Sequence, residues 1–480
     1  MSCIIYSKNY KDTNNVEFSL YLQAMILPKM TIINVLNKVS LRVLTLAAAL
    51  IAFAACVDPY EDDFRISANN PEITRPDNAT LADTPNKRRV FIAFSFGYNN
   101  LSHDLKEDIE DMISNNVPEY GFEENVVLVL SQNTPNGYNY STPSAPVLTH
   151  IYARKEKIIR DTLKIYADTT IAARKAVVND VLTIAKNRFP AKSYGMLLSS
   201  HGTGWAPQGY CYSPPDKTSG GIFGLDSYIY DGPAKYHEQR PLLKSIGSHY
   251  NGSPSRSIEI EIRDLADAIP MRMDYILFDA CFMGCVEVAY ELKDKCDLMC
   301  FSQAEILSNG MDYSRLLSTL FSEDGVDLTK CAEDYFNMYK DQSSSVMRSA
   351  TISVVDCRKL DKIAQIVADN SMAIMALAAN PKNRENVQGY FQPKYAKNHG
   401  LFYDLESVLQ EAGASSEAMS KLHEALDDCI ICKYATPTFL NAFEIKTHSG
   451  LSMYLPDADR YILNKFYKTL QWNNKTHIVD

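Results

Sequence analysis

The chain has 480 residues, of which 46% are hydrophobic and 22% are charged, and its formal net charge at pH 7 is −10. This composition is typical of a folded protein and excludes a disordered chain, and the length allows one large two-part domain or two domains. The negative charge, without any basic block, argues against nucleic acid as a partner and predicts a soluble body that slightly prefers cationic partners.

The first predicted element is a secretory signal over residues 1–55. Residues 41–55 are almost wholly apolar, and Lys38 and Arg42 supply basic charge at the start of this run. A basic flank, an apolar core and small residues at the end are typical of a signal peptide, and the run is too short for a comfortable membrane span. We interpret the polar residues 1–29 as a possible gene-start error. A short membrane anchor or a structural apolar helix are the alternatives.

The signal ends in Phe53-Ala54-Ala55-Cys56, which resembles a bacterial lipobox apart from Phe53, where an aliphatic residue is usual. The acidic stretch 57–63 resembles the surface-export signal of Bacteroidetes lipoproteins. The resemblance implies that Cys56 is lipidated and that the protein is a surface-exposed outer-membrane lipoprotein. Residues 56–86, rich in Pro, Asn, Asp and Thr, then predict a flexible tether between the lipid and the folded part.

The next segment predicts alternating strands and helices. A strand at 90–95, an amphipathic helix at 104–115 and a strand at 125–131 indicate a parallel pair joined by a right-handed crossover. Residues 148–153 and 158–166 alternate like an exposed hairpin, and 171–189 predict a helix.

Two further apolar strand-like runs each end at a reactive residue. Tyr194–Ser200 leads into His201, and Tyr275–Asp279 leads into Cys281 after one residue. Open α/β sheets build their sites at the carboxyl ends of parallel strands. An imidazole beside a thiol is the minimum for catalysis by a thiolate nucleophile. Taken singly, His201 can also be a hydrogen-bonded histidine at a strand end, and Cys281 a core thiol.

Residues 206–257 separate these strands and predict a long loop, because they are rich in Gly, Pro, Ser and Tyr and have no clear period. The remaining predicted elements are helices at 258–269, 286–292, 360–378, 405–410 and 415–432, strands at 298–303 and 350–355, and a last hairpin from 443–445 and 451–455. Cys429 and Cys432 form one CxxC on the last helix. We interpret them as packing residues, since no second pair or histidine completes a zinc site, and we predict neither metal nor cofactor. A redox or metal protein using this pair is the alternative.

The segments SSHGTGW (199–205) and FDACFMG (278–284) resemble the clostripain family of cysteine peptidases, in the same clan as caspases, legumains and gingipains. Four further segments follow in the family's order: VEVAYEL (286–292), QAE (303–305), GMDY (310–313) and GLSMYLP (450–456). The resemblance covers roughly residues 88 to 475. It implies a caspase-like αβα sandwich around a mostly parallel sheet, with a catalytic domain at 87–335 and an attached C-terminal α/β portion at 336–480.

The resemblance also implies roles. Cys281 is the nucleophile, His201 moves the proton, and the backbone N–H groups of Gly202 and Cys281 form the oxyanion hole. Asp279 faces the pocket for the residue before the cut and favours Lys or Arg there, although an aspartate that only caps or hydrogen-bonds the turn is a competing interpretation. A second acid stays open between Glu305 and Asp312.

We therefore predict a monomeric, lipid-anchored cysteine endopeptidase that acts on proteins or peptides. Relatives cut themselves between the two catalytic strands, and we predict self-cleavage after a basic residue of the 206–257 loop. The candidates there are Lys217, Lys235, Arg240, Lys244 and Arg256. The alternative of another class is a lipoprotein that binds partners through a degenerate peptidase scaffold.

Overall fold

The protein, described here from a computed structural model, is built around a central β-sheet. The structure describes residues 88–99, 101–120, 125–134, 144–208, 260–391 and 400–479, all within the unit Ile66–Asp480. The strands of this part of the chain are β1 (Arg89–Gly97), β2 (Val126–Asn133), β3 (Val147–Arg154), β4 (Lys157–Ile165), β5 (Ser193–Ser199), β6 (Met273–Asp279), β7 (Cys296–Phe301), β8 (Thr351–Asp356), β9 (Tyr403–Asp404), β10 (Ile430–Ala435), β11 (Thr438–Phe439), β12 (Phe443–Glu444) and β13 (Ser452–Met453).

Nine of these strands form one sheet in the order β10-β8-β7-β6-β5-β1-β2-β3-β4. The five central strands, β2, β1, β5, β6 and β7, are parallel, and the pairs on either side of them are antiparallel. The central strands are apolar and buried along almost their whole length, as expected where helices cover both faces of a parallel sheet. The edge strand β4 is mostly exposed.

Helices pack on both faces of the sheet. The helices of the described residues are α1 (Ser102–Ser114), α2 (Lys175–Arg188), α3 (Ile262–Ala268), α4 (Val286–Leu292), α5 (Tyr313–Leu320), α6 (Leu328–Lys340), α7 (Leu360–Asp369), α8 (Ser371–Ala378), α9 (Pro381–Arg384), α10 (Leu405–Glu411), α11 (Ser416–Cys429), α12 (Tyr461–Tyr467) and α13 (Gln471–Thr476). One core cluster joins α1, α5 and α6 to residues such as Leu197 and Leu277. The other joins α2, α3, α4 and α7 to Leu198 and Phe278. The predicted αβα sandwich is confirmed.

Three sequence predictions near the C-terminus are corrected. Helix α11 ends at Cys429, and the next residues form edge strand β10 instead of continuing the helix to residue 432. The predicted helix at 360–378 divides into two at Asn370. The predicted hairpin of 443–445 with 451–455 does not form, because β12 pairs with β11 and β13 pairs with β9.

The C-terminal portion predicted at 336–480 supplies β8 and β10 to the same sheet as the strands before it. The predicted boundary at 335/336 falls inside α6. Among the described residues, no helix combines the length and apolar character needed to cross a membrane. The predicted signal, the lipidation site Cys56, the tether at 56–86 and residues 209–257 of the predicted loop lie outside the described residues.

Candidate active site

The structure brings the two predicted catalytic residues to one edge of the sheet. Strands β5 and β6 are adjacent and parallel, and their last residues, Ser199 and Asp279, are partners in the register. The pairing extends one residue further, because the Ser200 N–H donates to the Asp279 carbonyl at 3.4 Å. His201 and Cys281 each lie two residues after the end of these strands.

The two loops touch through Gly202. A Cβ atom on this residue would lie 2.2 Å from the Cys281 carbonyl oxygen and 2.6 Å from the Cys281 nitrogen. Real Cβ atoms do not approach backbone this closely, so the position requires glycine for a steric reason. The backbones of Gly202 and Cys281, which the sequence predicts to form the oxyanion hole, are therefore in direct contact.

The Cys281 sulfur is buried, with the residue only 1% exposed, and His201 is 5% exposed. The Ile306 N–H, in the loop after β7, donates to Cys281 Sγ at 3.2 Å. This N–H favours the thiolate, the form a nucleophile needs, whereas the Ile306 carbonyl, 3.7 Å from Sγ, accepts from the neutral thiol. The burial also means that a peptide cannot reach the sulfur in this arrangement.

Phe282, directly after the predicted nucleophile, has an unusual backbone. Its φ is +60°, a left-handed conformation that bulky residues rarely adopt. Its ring stacks on Phe402 with centroids 4.8 Å apart and planes 13° apart, and its N–H donates to the Ala304 carbonyl at 2.9 Å. Phe402 also packs on the histidine loop, since a Cβ at Gly204 would lie 2.5 Å from its ring. One aromatic side chain from the C-terminal portion thus contacts both loops.

A second contact from the C-terminal portion holds the segment after the nucleophile. The Ser452 N–H donates to the Gly284 carbonyl at 2.9 Å, and the Ser452 hydroxyl donates to the same oxygen at 3.2 Å. Gln303 Nε2 donates to the Gly450 carbonyl at 2.8 Å. A Cβ on Gly284 would lie 2.4 Å from that amide nitrogen, so this segment is closely packed between the β7 loop and β13.

A buried carboxylate sits behind these contacts. Glu287 Oε1, in the first turn of α4, accepts from the Tyr467 hydroxyl at 2.7 Å and from the Tyr454 N–H at 2.7 Å. The rings of both tyrosines pack against Trp205, with centroids 4.7 and 4.9 Å away. Burial raises the pKa of the Glu287 carboxyl to about 7, although the hydrogen bond from Tyr467 and that from Tyr454 lower it. We call Glu287, Tyr454, Tyr467 and Trp205 the Glu287 cluster.

The sequence reasoning missed the Glu287 cluster and the conformation of Phe282. The one signal for Glu287 is an acid flanked by valines in an otherwise apolar run, Val286-Glu287-Val288. Such an acid on a buried helix requires hydrogen-bond partners, but the sequence does not say which. Nothing in the sequence indicates the positive φ of Phe282.

The predicted specificity residue Asp279 is fully buried. Its Oδ2 atom accepts from the Ser199 hydroxyl at 2.7 Å and from the Tyr313 hydroxyl at 2.7 Å. Of the two candidates for a second acid, Asp312 accepts from the Ser314 hydroxyl at 2.7 Å and lies 3.6 Å from Arg315. Glu305 is buried next to the Ala304 carbonyl that holds Phe282.

Two other histidines have shifted pKa values, of which His150 is buried and His448 is half-buried. Burial lowers the pKa of His150 to about 4 and that of His448 to about 3, so both are neutral at pH 7. His448 Nε2 lies 2.8 Å from Gln303 Oε1. Cys429 is buried at the end of α11 and Cys432 is half-buried in β10, and both thiols are free.

The fold is similar to that of solved peptidase structures. Solved structures similar to this chain include an inactive zymogen of a C11 protease from Parabacteroides distasonis (23% identity, TM-score 0.60), which covers 82% of this chain and 99% of its own. A secreted C11 cysteine protease from Bacteroides thetaiotaomicron is also similar, both with an irreversible peptide inhibitor (22%, TM-score 0.60, 82% and 99% covered) and as iotapain (21%, TM-score 0.62, 82% and 100% covered). At these identities the likeness shows a shared fold.

No curated protein matches the chain. Residues 251–478 match the model described as the clostripain family. This range includes Cys281, the segment that follows it and the C-terminal portion that holds both loops, and it begins after His201. Over residues 251–478 the chain is similar to the clostripain family of cysteine peptidases.

Proposed function

We propose that this cysteine peptidase hydrolyses peptide bonds through a dyad of Cys281 and His201. The observation that carries the proposal is the contact of the two loops at the ends of β5 and β6, where the Gly202 backbone lies directly on the Cys281 backbone. Nucleophile and base must lie within hydrogen-bonding reach of each other, and the placement of the two residues after adjacent parallel strands supports such an approach.

The chemistry follows from these positions. His201 takes the proton of the Cys281 thiol, and the thiolate attacks the carbonyl carbon of the substrate. The N–H groups of Gly202 and Cys281 stabilise the oxyanion that forms. His201 then gives its proton to the leaving nitrogen, the C–N bond breaks, and a thioester remains on Cys281. Water attacks the thioester as His201 takes its proton, and the acid product leaves with the thiol restored.

Substitution at the dyad tests this proposal. Cys281→Ala and His201→Ala should each lower kcat/KM by about 10³-fold or more, since the residues of such a unit act together. Cys432→Ala and His423→Ala, which change a thiol in β10 and an exposed imidazole, are matched controls and should retain wild-type activity. Near-ultraviolet circular dichroism shows whether each variant is folded. A folded Cys281→Ala variant with activity close to the wild type would refute the dyad.

Cleavage after Lys or Arg is the second part of the proposal. The Asp279 carboxylate lies two residues before the nucleophile, and a carboxylate is the natural partner of a cationic side chain. Profiling with a peptide library that varies the residue on the amino side of the cut tests it. A preference for an apolar or acidic residue there would contradict it.

Self-cleavage within residues 206–257 is the third part. Cys281 and His201 are both buried, so activity requires the site to open. One similar structure is an inactive zymogen, and another holds an irreversible peptide inhibitor. The purified protein and its Cys281→Ala variant are incubated, and any new N-termini are sequenced. Cutting after a basic residue in the wild type alone is expected, and a fully active single chain would exclude the step.

Lipidation of Cys56 is the last part, and it is supported by the apolar run that ends in Ala54-Ala55-Cys56. A protein anchored by several acyl chains partitions stably into membranes, whereas one chain binds only marginally. Intact mass of the protein recovered from the membrane fraction should show a lipidated Cys56 as the first residue. An unmodified Cys56, or cleavage at another position, would contradict it.

A further inference from the structure

A row of polar side chains crosses three central strands just before the two catalytic loops. Ser95 of β1 is the register partner of Ser199 of β5, and Ser199 is the partner of Asp279 of β6. Their neighbours two residues earlier, Ala93, Leu197 and Leu277, all belong to the core cluster under α1, α5 and α6. Because side chains alternate along a strand, the three polar residues face that same side.

Two helices complete a small polar chamber around this row. Tyr313 of α5 donates its hydroxyl to Asp279 at 2.7 Å. Asp108 of α1 is buried, 7% exposed, and lines a cavity together with Ser95, Ser199 and Tyr313. Burial first, and then the charges of Asp279 and Asp108, raise the pKa of the Tyr313 hydroxyl well above its usual value, so both carboxylates act on one side chain.

Ser95 provides an independent sign that this chamber receives a ligand. Its side-chain oxygen is fully buried, it lines the cavity, and it has no hydrogen-bond partner among the described residues. Buried hydroxyls are nearly always paired, and an unpaired one costs free energy. A hydrogen-bond donor that enters the cavity would satisfy it. The residues that line the cavity are otherwise apolar or bear hydroxyl or carboxylate oxygens, which are acceptors for such a donor.

The position of the row links the cavity to catalysis. Asp279 is two residues before Cys281, and Ser199 is two residues before His201. A side chain that enters beside the nucleophile would therefore lie near Asp279 and Ser199, and Ser199 lines the same cavity as Ser95 and Asp108. The cavity is about the size of one water molecule, and Cys281 is buried too, so both must open before a substrate side chain enters.

We propose that Asp108 is a specificity-determining residue of this peptidase, which with Asp279, Ser95 and Tyr313 binds the cationic side chain on the amino side of the cut. The proposal rests on the dyad and on the preference for Lys or Arg proposed above. Two carboxylates and a hydroxyl provide acceptors for the several N–H donors of an ammonium or guanidinium group. A substrate whose side chain has the same shape but no charge leaves both carboxylates without a cationic partner. Such a substrate should bind less tightly.

Paired substrates test the proposal. Peptides with Lys or norleucine, and with Arg or citrulline, at the position before the cut have similar shapes and differ in charge. Asp108→Asn should lower the ratio of kcat/KM for the charged over the neutral member by about 10- to 100-fold, leaving the neutral substrates nearly unchanged. Asp108→Glu should restore most of the ratio. Asp111→Asn, on the exposed side of the same helix, is the matched control and should leave the ratio unchanged.

The outcomes separate this proposal from the dyad. If Asp108→Asn keeps the wild-type ratio while Asp279→Asn lowers it, Asp108 is a structural residue and the proposal is wrong. If Asp108→Asn does not fold, Ser95→Ala decides: a loss of about threefold or more in the ratio supports the chamber, and an unchanged ratio overturns it. If an active Cys281→Ala enzyme cleaves the same peptides, the dyad fails instead.

Discussion

At the residue scale, Phe282, which follows the proposed nucleophile, combines an unfavourable backbone conformation with a well-packed side chain. A left-handed backbone costs a bulky residue about 1–2 kcal/mol. Phe282 tolerates this cost because its ring is buried against Phe402. The stacked ring thereby fixes the backbone next to Cys281, and the strain lies beside the proposed nucleophile, in keeping with the occurrence of strained residues at active sites.

This conflict predicts that glycine at position 282 gives a more stable variant than alanine, the reverse of the usual order. Phe282→Ala loses the ring and keeps the strain, whereas Phe282→Gly loses the ring and relieves the strain. We expect the glycine variant to unfold at a higher denaturant concentration, by about 1 kcal/mol in free energy of unfolding. Phe278, buried in β6, is the control, and there the alanine variant should be the more stable. If the two variants at Phe282 are equally stable, or if the alanine variant is the more stable, the positive φ of Phe282 carries no strain.

Glu287 predicts a dependence of stability on pH. Its carboxyl pKa is about 7 in the folded protein and 4.5 as an unperturbed reference, so the folded state holds the proton more tightly. Stability contributed by this residue is therefore fully present below pH 4.5 and is lost as pH rises to about 7, by on the order of 3 kcal/mol. Glu287→Gln resembles the protonated form and should not show this loss.

Urea unfolding of the wild type and Glu287→Gln between pH 4.5 and 8 measures the difference. The free energy of unfolding of Glu287→Gln should equal that of the wild type at low pH and exceed it above pH 7. Glu417→Gln, at an exposed position of α11, is the control and should follow the wild type across this range. A difference curve for Glu287→Gln that stays flat with pH would show that the buried carboxyl does not titrate in this range.

At the element scale, the sequence predicted the central sheet well because its strands are continuous apolar runs between helices with a clear period. The secondary-structure prediction is wrong where the conformation depends on distant partners and not on the local sequence pattern. The apolar residues Ile430 and Ile431 continue α11 in sequence, yet they form β10 because the edge of β8 offers backbone partners. Helices α5 and α6 have no sequence prediction at all, although they cover one face of the core.

The same distinction applies to the site. His201 and Cys281 follow predictable strands, so their approach could be inferred from sequence. Asp108, Ser95 and Tyr313 lie on three separate elements, and only the register of the sheet and the packing of α1 and α5 bring them together. The short strand β13 illustrates the reason, since its partner β9 is far away in sequence and no local pattern specifies it.

At the scale of the whole molecule, the C-terminal portion is part of the catalytic structure. It provides two strands of the central sheet, the Phe402 ring against both loops, and Ser452 against the segment after the nucleophile. These contacts attach the C-terminal portion to the segments around Cys281 and His201. The Glu287 cluster extends the same connection to α12.

The strand order has a consequence for a protein cut between residues 208 and 260. Strands β1 to β5 would lie on one fragment, and β6, β7, β8 and β10 on the other. In the sheet, the strands of each fragment form one continuous block, and the two blocks pair only between β5 and β6. Such a molecule would be a heterodimer whose catalytic groups face each other across the subunit interface. Its refolding would become a bimolecular association, so its melting temperature should rise with protein concentration, whereas that of the uncut chain should not. A melting temperature independent of concentration after complete cutting would show that the blocks do not separate on unfolding.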